Sequence, residues 1–230
     1  MPRFPRIRTL TDCALTIEFG RRIDPAIHQR VLACMHQLEQ AALPGQLDVV
    51  PTYRSLTVYY DPLIIDGPSV AIRLMDLAAR SPDAPQRPSK TVTVPVFYDP
   101  TVAPDLEAFA AEAGLTRERV IALHTSVSYR VYMVGFMPGF PYLGLVPRPI
   151  ALPRLATPRT SVPAGSVGIA GTQTGIYPRV SPGGWRIIGR TPMQICDLDG
   201  PRPFLFEPGD EVRFVAIDRT AFRDLSQASP

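Results

Sequence analysis

The chain has 230 residues, enough for one large domain or two small ones, and at 45% hydrophobic residues it can build a real core. The formal net charge is only +3, and its 24 basic residues include a single lysine, Lys90, which argues against a polybasic nucleic-acid or membrane patch. Cys13, Cys34 and Cys196 are odd in number, widely spaced and free of any CxxC pair, so the sequence indicates reduced thiols rather than a disulfide framework or a zinc finger.

Arg3, Arg6 and Arg8 are followed by no apolar leader, and no apolar run of about 18 residues occurs, so a cytoplasmic location is expected. Ala14 to Phe19 alternates and reads as a strand. Asp24 then caps a helix with Pro25 at its first position, and Ile27, Val31, Met35 and Leu38 form one apolar stripe that stops before Pro44-Gly45. Leu47 to Val50 and Leu56 to Tyr60 read as two strands. A second helix begins near Pro68, carries the stripe Val70, Leu74, Leu77 and Ala78, and ends before Ser81-Pro82.

This β-α-β-β-α order needs one more strand to complete a split βαβ, ferredoxin-like layer, and Thr91 to Phe97 is either that strand or the first strand of the next domain. The polar, Pro-rich stretch Ser81 to Ser89 reads as a linker, giving expected domains at 1–85 and 86–230. Ala103 to Gly114 is a short helix with Leu106, Phe109, Ala110 and Ala113 on its apolar face and Gly114 past its end; Thr116 caps the next, whose face is Val120 and Leu123. Strands are expected at Tyr129–Phe136, Val167–Ala170, Trp185–Ile188, Gln194–Asp197 and Glu211–Ile217, a pattern of a compact barrel or sandwich.

The stretch from Val134 to Pro192 is dense in Gly and Pro but interleaved with apolar residues, which describes an ordered sheet with demanding turns. From Arg119 to Cys196 there is no Asp or Glu, while eight arginines occur, so this segment is +8 and the remainder, with 16 basic and 21 acidic residues, is −5. Such a one-signed segment points to an anion site, since the guanidinium fork suits carboxylate and phosphate. The plainer reading is that these arginines pair with acids from elsewhere in the fold or simply solvate the surface.

No GxxxxGKS/T or GxGxxG motif occurs, so nucleotide binding by this chain has no sequence support. Ser166, in AGSVG, falls one residue short of a GxSxG elbow, and the residues after it are not helical. His28 and His36 share the first helix, which leaves His124 as the candidate base; it lies four residues after Val120 on the same helix face, where a satisfied structural histidine is the commoner case. No His/Cys/Asp/Glu cluster has metal-ligand spacing. Tyr142, Tyr177 and Trp185 place polar tips on aromatic bodies, and Gln173 between two threonines can read an amide.

The motifs GFMPGFPYLGL, TPRTSVPAGSVGIAGTQTGIYP and SPGGWRIIGRTP, with DCALTIEFG and VVPTYRSLTVYYDP before them and PGDEVRF after, resemble the bacterial 5-oxoprolinase B-subunit family over nearly the whole chain. That family is also labelled as the first subunit of allophanate hydrolase and includes a sporulation histidine-kinase inhibitor. The chain departs from the family pattern at Thr11-Asp12, where Gly commonly precedes Asp, and in PYLGLVP, which is one residue short.

The resemblance implies an α+β protein with a small ferredoxin-like N-terminal domain and a cyclophilin-like β-barrel. It implies an enzyme complex with homologues of the 5-oxoprolinase C and A subunits that opens 5-oxoproline to glutamate, with ATP used by the assembled complex and no cofactor, metal, nucleic acid or membrane for this chain. On that basis His124 is the possible acid/base, Arg154, Arg159 and Arg190 are anion binders, and Ser166, Gln173 and Tyr177 are polar contacts to substrate. The alternatives are a sensor histidine-kinase inhibitor without catalysis and a prolyl isomerase, the latter on fold likeness alone.

Overall fold

The computed structural model describes residues 4–80 and 88–228, so most of the expected linker, Ser81 to Ser89, lies outside the described residues. The chain divides between Pro88 and Ser89 into two compact units.

The first unit runs β1 (Arg6–Thr11), β2 (Ala14–Glu18), α1 (Pro25–Ala41), β3 (Gln46–Pro51), β4 (Ser55–Tyr60) and α2 (Gly67–Arg80). The Asp24 carboxylate accepts hydrogen bonds from the backbone N–H groups of Ala26 and Ile27 at 2.9 and 3.3 Å, and Pro25 supplies a first turn that needs no donor. Leu15, Ile17, Leu56, Val58 and Tyr60 alternate onto one sheet face and join Val31, Cys34, Leu38, Val70, Leu74 and Leu77 from the helices in one core.

The sheet is antiparallel in the order β1-β2-β4-β3. This corrects the ferredoxin-like expectation. The edge beside β2 is filled by β1, from the start of the unit, because Thr91–Phe97 is taken up elsewhere.

The second unit runs β5 (Thr91–Phe97), α3 (Leu106–Glu112), α4 (Arg117–Thr125), β6 (Ser128–Val134), β7 (Pro141–Gly144), β8 (Arg159–Val162), β9 (Ser166–Ala170), β10 (Gln173–Ile176), β11 (Ser181–Gly183), β12 (Arg186–Arg190), β13 (Glu211–Ile217) and α5 (Arg219–Ala228). Seven of these strands close a barrel in the order β10-β7-β6-β13-β5-β12-β9, and β8 and β11 form a separate two-stranded ribbon. β5 and β13 pair in parallel over seven residues, and this ladder holds Thr91–Phe97 in the barrel. Val94, Val131, Leu143, Val167, Ile169, Ile176, Ile188, Val212 and Phe214 fill the core. Gln194–Asp197 forms no strand. Only an isolated bridge from Cys196 to Phe204 occurs there, between Pro192 and the turn at Gly200.

The outer face of the barrel carries a second, smaller apolar layer of Phe140, Val162, Tyr177 and Ile187, with Met137, Tyr142 and Trp185 packed against it. Glycine makes that layer possible. A Cβ on Gly175 would sit 2.9 Å from the Pro141 carbonyl and 3.0 Å from both Phe140 Cζ and Trp185 Cζ3. Among the described residues no helix is long and apolar enough to cross a membrane.

Candidate functional site

Arg159 opens β8 and faces Gly183 of β11. Its Nη2 donates to Asp105 Oδ1, while Asp105 Oδ2 accepts from the Ile187 backbone N–H at 2.6 Å. Asp105 precedes α3 and is 7% exposed, so both of its oxygens are committed inside the fold. Arg159 Nη1 is buried and has no hydrogen-bond partner among the described residues. The guanidinium is thus anchored on one side by Asp105 and keeps one unsatisfied donor, on a side chain that is 30% exposed.

Tyr177 stands next to this cation. Burial pushes its phenol pKa up, the Trp185 backbone N–H donating to its oxygen pulls the other way, Tyr142 adds to the rise and Arg159 opposes it; the net direction is upward. The group is a neutral phenol at neutral pH, on a residue that is only 1% exposed. Phe140 links an aromatic wall, with ring centroids 5.0 Å from Tyr142, 5.1 Å from Tyr177, 5.3 Å from Trp185 and 5.7 Å from Phe136. Phe136 is held at φ +68° and is 63% exposed, so a large apolar ring in a strained backbone stands open at the edge of this wall.

The structure places the other candidates differently. His124 projects into the barrel core with no exposure; its Nδ1 is 2.7 Å from the Tyr98 hydroxyl and its Nε2 is 2.9 Å from Thr174 Oγ1. Burial pushes its pKa down to about 3. This is the environment of a satisfied structural histidine, not of an acid/base group that meets substrate.

Ser166 lies on the opposite, outer face of the barrel wall, 1% exposed, with an Oγ that has no partner among the described residues. No Ser–His pair forms, because Val167 and Ile169 between these positions point into the core that holds His124. Gln173 starts β10 beside Gly144 and Ala170, at the far end of the outer face from Tyr177. Arg154 is exposed in the segment before β8. Arg190 pairs across to Ser166, but its Nε donates to the Ala164 carbonyl at 2.9 Å, beyond the far end of β8 from Arg159.

Arg159 and Tyr177 therefore converge, whereas Arg154, Arg190, Gln173 and His124 do not join them. The plainer reading of the acid-free segment holds for three arginines. Arg130 pairs with Glu211 at 3.4 Å, Arg186 with Glu112 at 2.7 Å and Arg159 with Asp105, each acid coming from outside the segment. Asp105 and Phe136 escape a reading of the sequence: the first lies outside the one-signed stretch, and the second is one more apolar residue in a Gly/Pro-rich loop. Among the described residues no group of three or more His, Cys, Asp or Glu side chains could hold a metal ion.

The family description "Carboxyltransferase domain, subdomain C and D" matches residues 5–206. The chain is 38% identical to the 5-oxoprolinase B subunit of Bacillus subtilis over 97% of this chain and 98% of that protein. It superposes on the solved structure of TTHA0988 with a TM-score of 0.79 at 38% identity, covering 93% of this chain and 40% of that one. The urea carboxylase of Kluyveromyces lactis shares the fold, with a TM-score of 0.77 at 20% identity, over 97% of this chain and 22% of that chain.

Proposed function

The chain belongs to the 5-oxoprolinase B-subunit family, and on that premise we propose that it is the substrate-holding, non-nucleotide-binding subunit of an ATP-dependent 5-oxoprolinase. The observation that carries the reading is the partly exposed Arg159 guanidinium, with one donor unsatisfied, beside a neutral Tyr177 phenol and an aromatic wall. 5-Oxoproline is a small planar lactam with one carboxylate. The carboxylate takes the guanidinium and the ring lies against the partly exposed Trp185 and Phe136, with the buried Tyr177 behind them.

A ring amide is a poor electrophile, so ATP hydrolysis has to drive its opening to glutamate. Neither a Walker motif nor a paired nucleophile and base supports that chemistry in this chain. We assign it to homologues of the C and A subunits in a cytoplasmic complex. A site that binds but does not cleave is consistent with this division of labour.

The test is 5-oxoproline-dependent ATP hydrolysis by the reconstituted complex. Arg159→Gln should raise the KM for 5-oxoproline about tenfold or more, with kcat changed far less, as loss of one charge-assisted contact predicts. Unchanged kinetics removes Arg159 from the site. A second reading, a docking module that inhibits a sensor kinase, draws support from the exposed apolar side chains of Phe136, Leu145 and Val180. Suppressed kinase autophosphorylation, with no effect on ATP hydrolysis by the complex, would favour it.

A further inference from the structure

Arg190 does not serve the Arg159 site, and its position poses a separate question. Arg190 ends β12 opposite Ser166, with its guanidinium on the Ala164 carbonyl, whereas Arg159 starts β8 and is held by Asp105. Arg190 is half-buried, and its Nε is tied to the Ala164 carbonyl, which leaves its two amino groups for other partners. Arg190 lines a cleft of about 380 Å³, together with Gly165, Thr191 and Met193 on the barrel side and Phe222 and Ser226 of α5 on the other.

No residue lining this cleft is acidic, and Arg190 has no ion pair among the described residues. The contrast with Arg130, Arg159 and Arg186 is informative, because each of those finds a carboxylate. A partly desolvated guanidinium without a counter-charge is costly, and the cost disappears when an anion binds. The opposite wall is held in place from α5's first turns: Arg219 pairs with Asp99 at 3.1 Å, and Phe222 stacks on Phe97 at 5.2 Å.

The geometry points to a second anion site, in which Arg190 holds the carboxylate of a small organic acid and Met193 and Phe222 cover its short aliphatic body. The volume lies at the lower end of the range for small-ligand pockets, which sets the ligand at a few carbons. The carboxylate lies bidentate on the fork, and the tail occupies the space below α5. This site stands independently of the function proposed above, since it shares neither Arg159 nor the aromatic wall.

The experiment is a titration of the full chain, with Met193 followed by methyl NMR, using sodium butyrate in one arm and inorganic phosphate in the other. Butyrate should shift the Met193 methyl saturably and phosphate alone should not. Arg190→Gln should weaken butyrate binding about tenfold or more, whereas Arg159→Gln should leave it unchanged. Ser226→Trp, on the exposed side of α5, leaves β12 untouched and should block the cleft sterically, which keeps the test sound if Arg190→Gln fails to fold.

A Met193 methyl unmoved by butyrate, a response equal in wild type and Arg190→Gln, or saturation by phosphate alone each overturns the assignment. The methyl signal is read without ATP hydrolysis by the complex, so failure here leaves the 5-oxoprolinase proposal standing, and the reverse also holds.

Discussion

His124 Nε2 lies 2.9 Å from Thr174 Oγ1, and that contact fixes the direction of a buried proton chain. The Thr174 hydroxyl donates to the Gly168 carbonyl at 3.0 Å, so it accepts from Nε2–H, and Nδ1 in turn accepts from the Tyr98 hydroxyl at 2.7 Å. The neutral ring is fully satisfied and stacks on Phe214 at 4.5 Å. Protonation would remove an acceptor and bury a charge, which is why burial takes the pKa from 6.5 down to about 3.

The sign of the pH dependence follows. The unfolded chain takes up this proton near pH 6.5 and the folded chain only near pH 3, so the folded state loses stability as pH falls between those values and is unaffected above them. Within the window this group contributes up to about 1.4 kcal/mol per pH unit. His124→Phe should cost about 2–4 kcal/mol at pH 7 by leaving the Tyr98 hydroxyl unpaired. Urea denaturation of both proteins should show that gap narrowing from pH 6.5 toward pH 4; a constant gap would mean that the histidine is not held neutral.

Asp105 offers a second test, this time of the pairing that shapes the candidate site. Its carboxylate serves Arg159 Nη2 and the Ile187 backbone N–H at once, so removing it strands two buried donors. Asp105→Ala should cost about 2–4 kcal/mol, because the buried Ile187 N–H loses its acceptor and the part-buried Arg159 loses its counter-charge. Asp105→Asn keeps an acceptor for Ile187 and should cost about 1–3 kcal/mol. Equal costs in chemical denaturation would show that the carboxylate's charge contributes nothing.

Gly175→Ala tests whether the aromatic layer depends on a glycine floor. The new Cβ meets a backbone oxygen and two rings at 3.0 Å or less, and the Pro141 carbonyl cannot move without disturbing β7. The expected loss is about 1–3 kcal/mol, as for overpacking elsewhere. Trp185 is the sole tryptophan of the chain, so its emission reports the displacement directly. An unshifted spectrum with wild-type stability would mean that the layer repacks freely.

The local elements are legible in the sequence because their signals are short-range. Asp24, Pro25 and the stripe Ile27, Val31, Met35 and Leu38 announce α1, and the alternation in Glu211–Ile217 announces β13. β1 gives no such signal, because RIRTLT carries two arginines and lies at the edge of the sheet, where no strong apolar alternation is required. Non-local pairing decides the rest. Thr91–Phe97 reads equally well as the last strand of one sheet or the first of another, and its parallel ladder to a segment 120 residues later settles the matter.

The site is half legible for the same reason. Arg159 and Tyr177 stand out by residue type. The partners that give meaning to Arg159 and His124, namely Asp105 and Thr174, lie 54 and 50 residues away and leave no local trace.

Phe136 links strain to the function proposed for the site. A phenylalanine at φ +68° that leaves its ring 63% exposed gains little from packing, so the fold alone gives no reason to keep it. Glycine adopts that backbone freely, whereas alanine shares the steric penalty. Phe136→Gly should therefore be more stable than Phe136→Ala by about 1 kcal/mol in thermal or urea denaturation. If the ring covers the bound lactam, both substitutions remove the same contact and should raise the KM for 5-oxoproline in the assembled complex by a similar factor, despite their different stabilities. A KM that followed stability instead, rising in the alanine variant and unchanged in the glycine variant, would place the loop's role in folding and take the ring out of the site.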